Sequence, residues 1–158
     1  MKKKLTILFA LAFAAAVFMT GCAGAAEIKK PTPDGTVFDV TGSCAAELND
    51  GVLKVTGQTN LMDGTNGIIG VMNSDGTRVD QIKVTKQGDN LQAQFTVNSS
   101  WPKTVYAYIM FDTSKSDGQP DAVKAAYGKS FQNLEGDNVI WDQKGNIAIF
   151  QSEAITIS

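Results

Sequence analysis

Histidine is absent from all 158 residues, and its absence removes a large part of enzyme chemistry. There can be no Ser-His-Asp or Cys-His triad, no histidine general base and no histidine-liganded zinc or copper. Cysteine is almost as scarce. Cys22 and Cys44 are the only two, too few for a thiolate metal cluster or a disulfide framework. No run of the chain carries a convincing long-helix pattern. One long apolar run exists, Leu5 to Phe18, and it falls short of the roughly 20 residues a membrane span requires.

That run reads as the core of a secretory leader. Lys2, Lys3 and Lys4 form its cationic start, and the small residues Thr20 and Gly21 follow it ahead of Cys22. Met19-Thr20-Gly21-Cys22 resembles the lipobox of bacterial lipoproteins, with Met19 where Leu is usual. The resemblance implies that residues 1–21 are a signal peptide and that the Cys22 thiol takes a diacylglyceryl group at the mature N-terminus. A competing cut after Ala23-Gly24-Ala25 has the same small-x-small form and would discard Cys22. On the lipobox reading, two acyl chains hold the protein on the extracytoplasmic face of the cell membrane, enough for stable anchoring.

Without residues 1–21 the chain keeps 137 residues, and 11 basic against 16 acidic side chains give a net charge of −5. That length suffices for one domain with a core, and that charge gives no electrostatic reason to seek nucleic acid or anionic lipid. Residues 22–34, which include Lys29-Lys30-Pro31-Thr32-Pro33, have no apolar periodicity and read as a tether. Residues 35–158 read as the folded domain. Cys44 is left without a disulfide partner; either it is a reactive thiol or, since Cys44, Ala46 and Leu48 alternate, a small apolar residue on a buried strand face.

Turn chemistry punctuates this domain at Asp34-Gly35, Asn49-Asp50-Gly51, Asp63-Gly64, Asp75-Gly76, Gly88-Asp89-Asn90, Asp117-Gly118, Gly136-Asp137-Asn138 and Gly145-Asn146. Short alternating runs lie between, the pattern of an all-β sandwich or barrel. Leu91, Ala93, Phe95 and Val97 share one face of the clearest strand. Val105–Phe111 is apolar on both faces and reads as central. Further strands are expected near Val37–Thr41, Cys44–Leu48, Val52–Thr56, Ile68–Met72, Val79–Lys86, Val139–Asp142 and Ile147–Ile157, the last broken near Ser152. One short helix is expected at 120–127, with Pro120 as its first residue and Gly128 as its terminator.

Two stretches resemble a loosely defined group of Gram-positive surface and lipoprotein β-sandwich domains of unknown function. Val55-Thr56-Gly57-Gln58-Thr59-Asn60-Leu61-Met62-Asp63-Gly64-Thr65 is similar to its G-x-T-N-L-P-D-G-T turn, with Met62 replacing Pro and leaving the turn less rigid. Gln119–Val123 with Tyr127-Gly128 and Leu134-Glu135-Gly136 is similar to its late segment. The resemblance implies an immunoglobulin-like antiparallel β-sandwich.

Little chemistry remains to be assigned. Asp112, Asp117 and Asp121, or Asn60, Asp63, Asn66 and Asp75, could be imagined around calcium, but none has EF-hand spacing and each sits where a turn former belongs. Met62, Met72 and Met110 lack a close pairing for copper(I) and read as core. No metal or cofactor is expected, and an enzyme using carboxylates alone has no supporting spacing. The candidate partner-binding residues are aromatic: Tyr106 and Tyr108 on one strand face, and Trp101 and Trp141 near strand ends. The expected function is a membrane-anchored binding or interaction module contacting an envelope protein or glycan; the alternative is a structural or accessory envelope lipoprotein with no defined ligand.

Overall fold

The computed structural model describes residues 29–113 and 118–157. Cys22, the leader and Asp117 therefore lie outside the described residues. Among the described residues, no helix is long and apolar enough to cross a membrane.

The alternating runs fold into two packed sheets. In the smaller, β2 (Gly42–Asn49), β3 (Val52–Thr59) and β6 (Leu91–Thr96) lie in that order, all antiparallel. The β2–β3 turn is the two-residue hairpin that Asn49-Asp50-Gly51 signals. Asp50 and Gly51 both take positive φ, 49° and 74°, so that Leu48 pairs with Leu53. The larger sheet runs β5 (Arg78–Thr85), β4 (Asn66–Asn73), β7 (Thr104–Phe111), β10 (Gly145–Gln151) and β9 (Val139–Asp142). A sixth strand, β11 (Ile155–Thr156), continues along β7 beyond β10. The fold is an all-β sandwich, with every ladder in its two main sheets antiparallel.

The expected break at Ser152 has a specific cause. Ser152 Oγ accepts the Ala107 N–H at 2.9 Å while its own N–H donates to the Ala107 carbonyl at 2.9 Å, so a side chain replaces one ladder acceptor and the strand steps out of register. Sequence reading missed β8 (Leu134–Glu135), which pairs in parallel with β1 (Phe38–Asp39). It also made β1 longer than it is.

The core lies between the sheets. Leu53 and Val55 of β3, Leu91, Ala93 and Phe95 of β6, Ile69 and Val71 of β4, and Val105, Ala107, Ile109 and Phe111 of β7 all belong to it. Gln92, Gln94 and Thr96 point outward, the period of two that β6 announces. Helix α1 (Asp121–Tyr127) adds Val123 and Tyr127. It begins one residue later than expected: Pro120 is its N-cap, with ψ 153°, and Asp121 is its first helical residue. Tyr127 packs against Phe38 and, edge-on, against Phe131.

The turn at 55–65 and the segment from Gln119 to Tyr127 meet here. Met62 N–H donates to the Tyr127 hydroxyl at 2.7 Å. The buried Gln119 amide accepts from Asn66 N–H at 2.9 Å and donates to the carbonyls of Asn66 and Asp112, both at 2.7 Å. Asn60 reaches the other way, accepting from Thr41 N–H and donating to the Asp39 carbonyl, each at 2.9 Å. These side chains act as substitute backbone, joining the β3–β4 turn to the helix on one side and to the first strands on the other.

Phe95 is 3 % exposed in the centre of this core. Phe95→Ala should cost about 3–5 kcal/mol, the range for a buried aromatic cut to a methyl. Urea denaturation with matched m-values measures it, and an unchanged midpoint would contradict the packing described.

Candidate functional site

The four aromatic candidates do not converge. Trp101 is half-buried and packs against the main core, in the turn after β6. Trp141 is 48 % exposed on β9, an edge of the larger sheet. Tyr106 and Tyr108 point away from the core, on the far side of the larger sheet, where they join Ile68, Met72, Met110, Ile147 and Ile149 in a second apolar cluster. All seven belong to β4, β7 and β10, so this layer is made by one sheet alone.

Cross-strand register explains how the layer lies so flat. Lys83, Ile68, Met110 and Ile149 form one row and Gln81, Gly70, Tyr108 and Gln151 the next. The Tyr108 ring lies across Gly70, and a Cβ there would meet the ring at 2.5 Å. Tyr108 is consequently buried, its hydroxyl pKa raised chiefly by that burial, whereas Tyr106, Ile147 and Ile149 stay half-buried.

The opposite outer face, on the smaller sheet, has different chemistry. Ser43 pairs with Gln58, and Ala45, Thr56 and Gln92 form a row across all three strands. With Gly57, Asn90 and Leu91 these residues line a depression of about 510 Å³. Gln58 Nε2 donates to Asn90 Oδ1 at 3.3 Å. The rest of this amide and hydroxyl inventory faces solvent, and no lining residue carries a charge. Sequence reading passed over these residues because polar outward positions are what any half-buried strand displays; only the register gathers them into one concave surface.

The loop carboxylates and amides are engaged in structure. Asp63 Oδ1 accepts from the buried Lys86 ammonium at 2.6 Å and from Gly88 N–H at 3.0 Å. The Lys86 hydrogen bond, and then that from Gly88, hold the Asp63 carboxyl below its ordinary value of 3.8. Asp75 bonds Thr77 across its own turn, Asn66 bonds Thr85 and the Gly118 carbonyl, and Asp121 pairs with Lys124. Among the described residues, no three cysteines and carboxylates gather as a metal site would need. Met72 and Met110 sit in the outer apolar layer and Met62 against the core.

Cys44 is half-buried, with Ala46 and Leu48, against the main core. Burial pushes its thiol up to about 12, with only partial opposition from a backbone hydrogen bond at Ser152. A thiol so far above neutrality carries little of the thiolate that nucleophilic chemistry needs. Compared with known proteins, the chain matches no family model, no curated protein and no solved structure.

The Asp63–Lys86 pair has a defined pH signature. A carboxyl whose folded pKa is lowered contributes stability that is present above its ordinary value and lost as pH falls through the folded one. Asp63→Asn leaves a buried ammonium without its counter-ion, so its melting temperature should fall below that of the parent at neutral pH. The gap should narrow as the pH is taken below 3.8 and falls through the lowered pKa of the parent carboxyl. Parallel thermal melts over this range test this, and a gap that is constant with pH contradicts the pairing.

Proposed function

We propose that this chain is a lipid-anchored, extracytoplasmic binding module of the bacterial cell envelope, of immunoglobulin-like type, and that its ligand is a neutral glycan strand held on the outer face of the three-stranded sheet. The observation that carries this reading is the uncharged depression lined by Ser43, Thr56, Gln58, Asn90 and Gln92. A polyol offers alternating hydroxyl donors and acceptors, and amides with hydroxyls answer both in kind. An anionic or cationic ligand would find no countercharge among the lining residues.

The anchor rests on the leader and on Cys22. The sheet partition supports the immunoglobulin-like type, because an antiparallel sheet of β2, β3 and β6 packs over a common core against an antiparallel sheet centred on β4, β7 and β10. A second reading is a protein partner seated on the half-buried Tyr106, Ile147 and Ile149. Its apolar layer favours a peptide surface over a sugar.

Two measurements test the proposal. Cys22→Ala should release the protein from membranes and abolish labelling by a fatty-acid analogue, since the acyl chains are the anchor; label persisting in the variant would sink the lipoprotein assignment. Soluble glycan fragments of the cell wall, titrated into the protein in a calorimeter, should give heat that Gln58→Ala and Gln92→Ala each weaken by about 2- to 10-fold in Kd, as expected for one open hydrogen bond of about 0.5–1.5 kcal/mol. Equal binding by parent and variants would move the ligand off this face.

A further inference from the structure

Sequence alone gave the tether no destination, and the structure gives it one. The described chain starts at Lys29, and the Lys30 ammonium stands 5.7 Å from the centroid of the Trp141 ring. Trp141 lies on β9, the edge of the larger sheet opposite β5. Lys30 therefore stands eight positions along the chain from Cys22, a reach of at most about 26–29 Å when fully extended, against a point on the β9 edge. The β5 edge lies four strand spacings further off, about 19 Å across the sheet. Of the two edges, β9 is the one held close to the anchor.

That edge carries two neighbouring exposed apolar side chains, where the β5 edge carries one, Ile82. Ile140 and Trp141 are 40 % and 48 % exposed, two of the four exposed large apolar residues of the domain. Neighbours on a strand point to opposite faces, so this pair flanks the edge, and a sheet standing edge-on to a plane brings both into it. Ile140 also continues the outer apolar layer, since it pairs with Ile147. Tryptophan, with an apolar ring and a polar N–H, favours the boundary between headgroups and acyl chains.

The charges around the edge are mixed. Lys29 and Lys30 approach from the tether, and Lys144 sits in the β9–β10 turn. Lys129 adjoins Ser130, whose carbonyl accepts the Asn146 N–H. Against these four lysines stand Asp142, whose carboxylate caps Lys144 N–H in the same turn, Asp34, which accepts from Gln132, and Asp137 before the start of β9. Glu135, beside Leu134 whose carbonyl accepts from Asn146, makes four carboxylates against four lysines, so the edge is near balance on a chain that carries −5 without residues 1–21.

We propose that the β9 edge, through Ile140 and Trp141 with Lys30 over the indole ring, rests on the surface of the same bilayer that holds Cys22. The proposal builds on the lipid-anchor reading and adds an orientation to it. The domain stands edge-on at the membrane, β5 is its distal edge, and the amide-lined face of the smaller sheet is turned sideways, open to the envelope space. The unpaired backbone groups of β9 meet headgroup oxygens and interfacial water, which a shallow contact leaves available to them.

The test uses the mature, acylated protein in vesicles of phosphatidylglycerol and phosphatidylcholine whose acyl chains are brominated near the headgroup. Bromine quenches indole emission on contact, and Trp141→Phe, at an exposed position, isolates the signal of Trp101 for subtraction. The expected result is a loss of Trp141 emission in brominated vesicles relative to unbrominated ones, reduced by Lys29→Glu with Lys30→Glu and by high salt. Protein that carries the fatty-acid label, while its Trp141 emission is untouched by bromine and is quenched freely by aqueous iodide, overturns the docked edge and leaves the anchor standing. That outcome would turn attention to a protein strand added to β9. Protein that neither carries the label nor floats with vesicles overturns the anchor and the docking together.

Discussion

A strand with no polar side has to be covered twice, and β7 is such a strand. Val105, Ala107, Ile109 and Phe111 point inward and Tyr106, Tyr108 and Met110 outward. Exposing either set would forfeit roughly 1.5–3 kcal/mol for each large apolar side chain. The smaller sheet covers the inward set. The outward set is covered largely from within its own sheet, by Ile68 and Met72 on one side and Ile147 and Ile149 on the other, with the Tyr108 ring laid over Gly70. β7 consequently sits at the centre of the larger sheet, and polar, charged positions such as Arg78, Asp80 and Lys83 fall on the β5 edge, where water reaches them.

With no disulfide to close its loops, the domain uses side chains in place of backbone. Gln119 bonds Asn66 and Asp112, Asn60 joins the first strands, Tyr127 receives Met62, and Asp63 holds Lys86. These contacts close loops, and for that reason they carry information about architecture and little about ligand.

Period-two alternation made most of the sandwich readable in advance. β6 alternates without a fault, β7 is apolar throughout, and the β2–β3 turn declares its own hairpin. β8 was not readable because Leu134-Glu135 is two residues long, too short to show a period, and its partner β1 lies almost a hundred residues away in parallel. Proline gave the position of the helix but misplaced its first residue by one, since Pro120 serves as cap. Aromatic residues drew attention to Tyr106 and Tyr108, whereas the amide face of the smaller sheet was invisible. Ser43, Thr56 and Gln92 are far apart in the chain and each is ordinary for an outward strand position; their meaning comes from register.

The parallel pairing of β1 with β8 has a mechanical consequence. Tension drawn through the N-terminal arm arrives first at Asp34 and Gly35, whose N–H groups share the carboxamide oxygen of Asn133, and then at the ladder where Phe38 and Val40 donate to the carbonyls of Asn133 and Glu135. These bonds lie across the strand direction, so a pull along the arm loads them together in shear instead of opening them one after another. Asn133 thus works as a cleat, taking up strain at the margin of the domain before it can reach β2 and the sandwich.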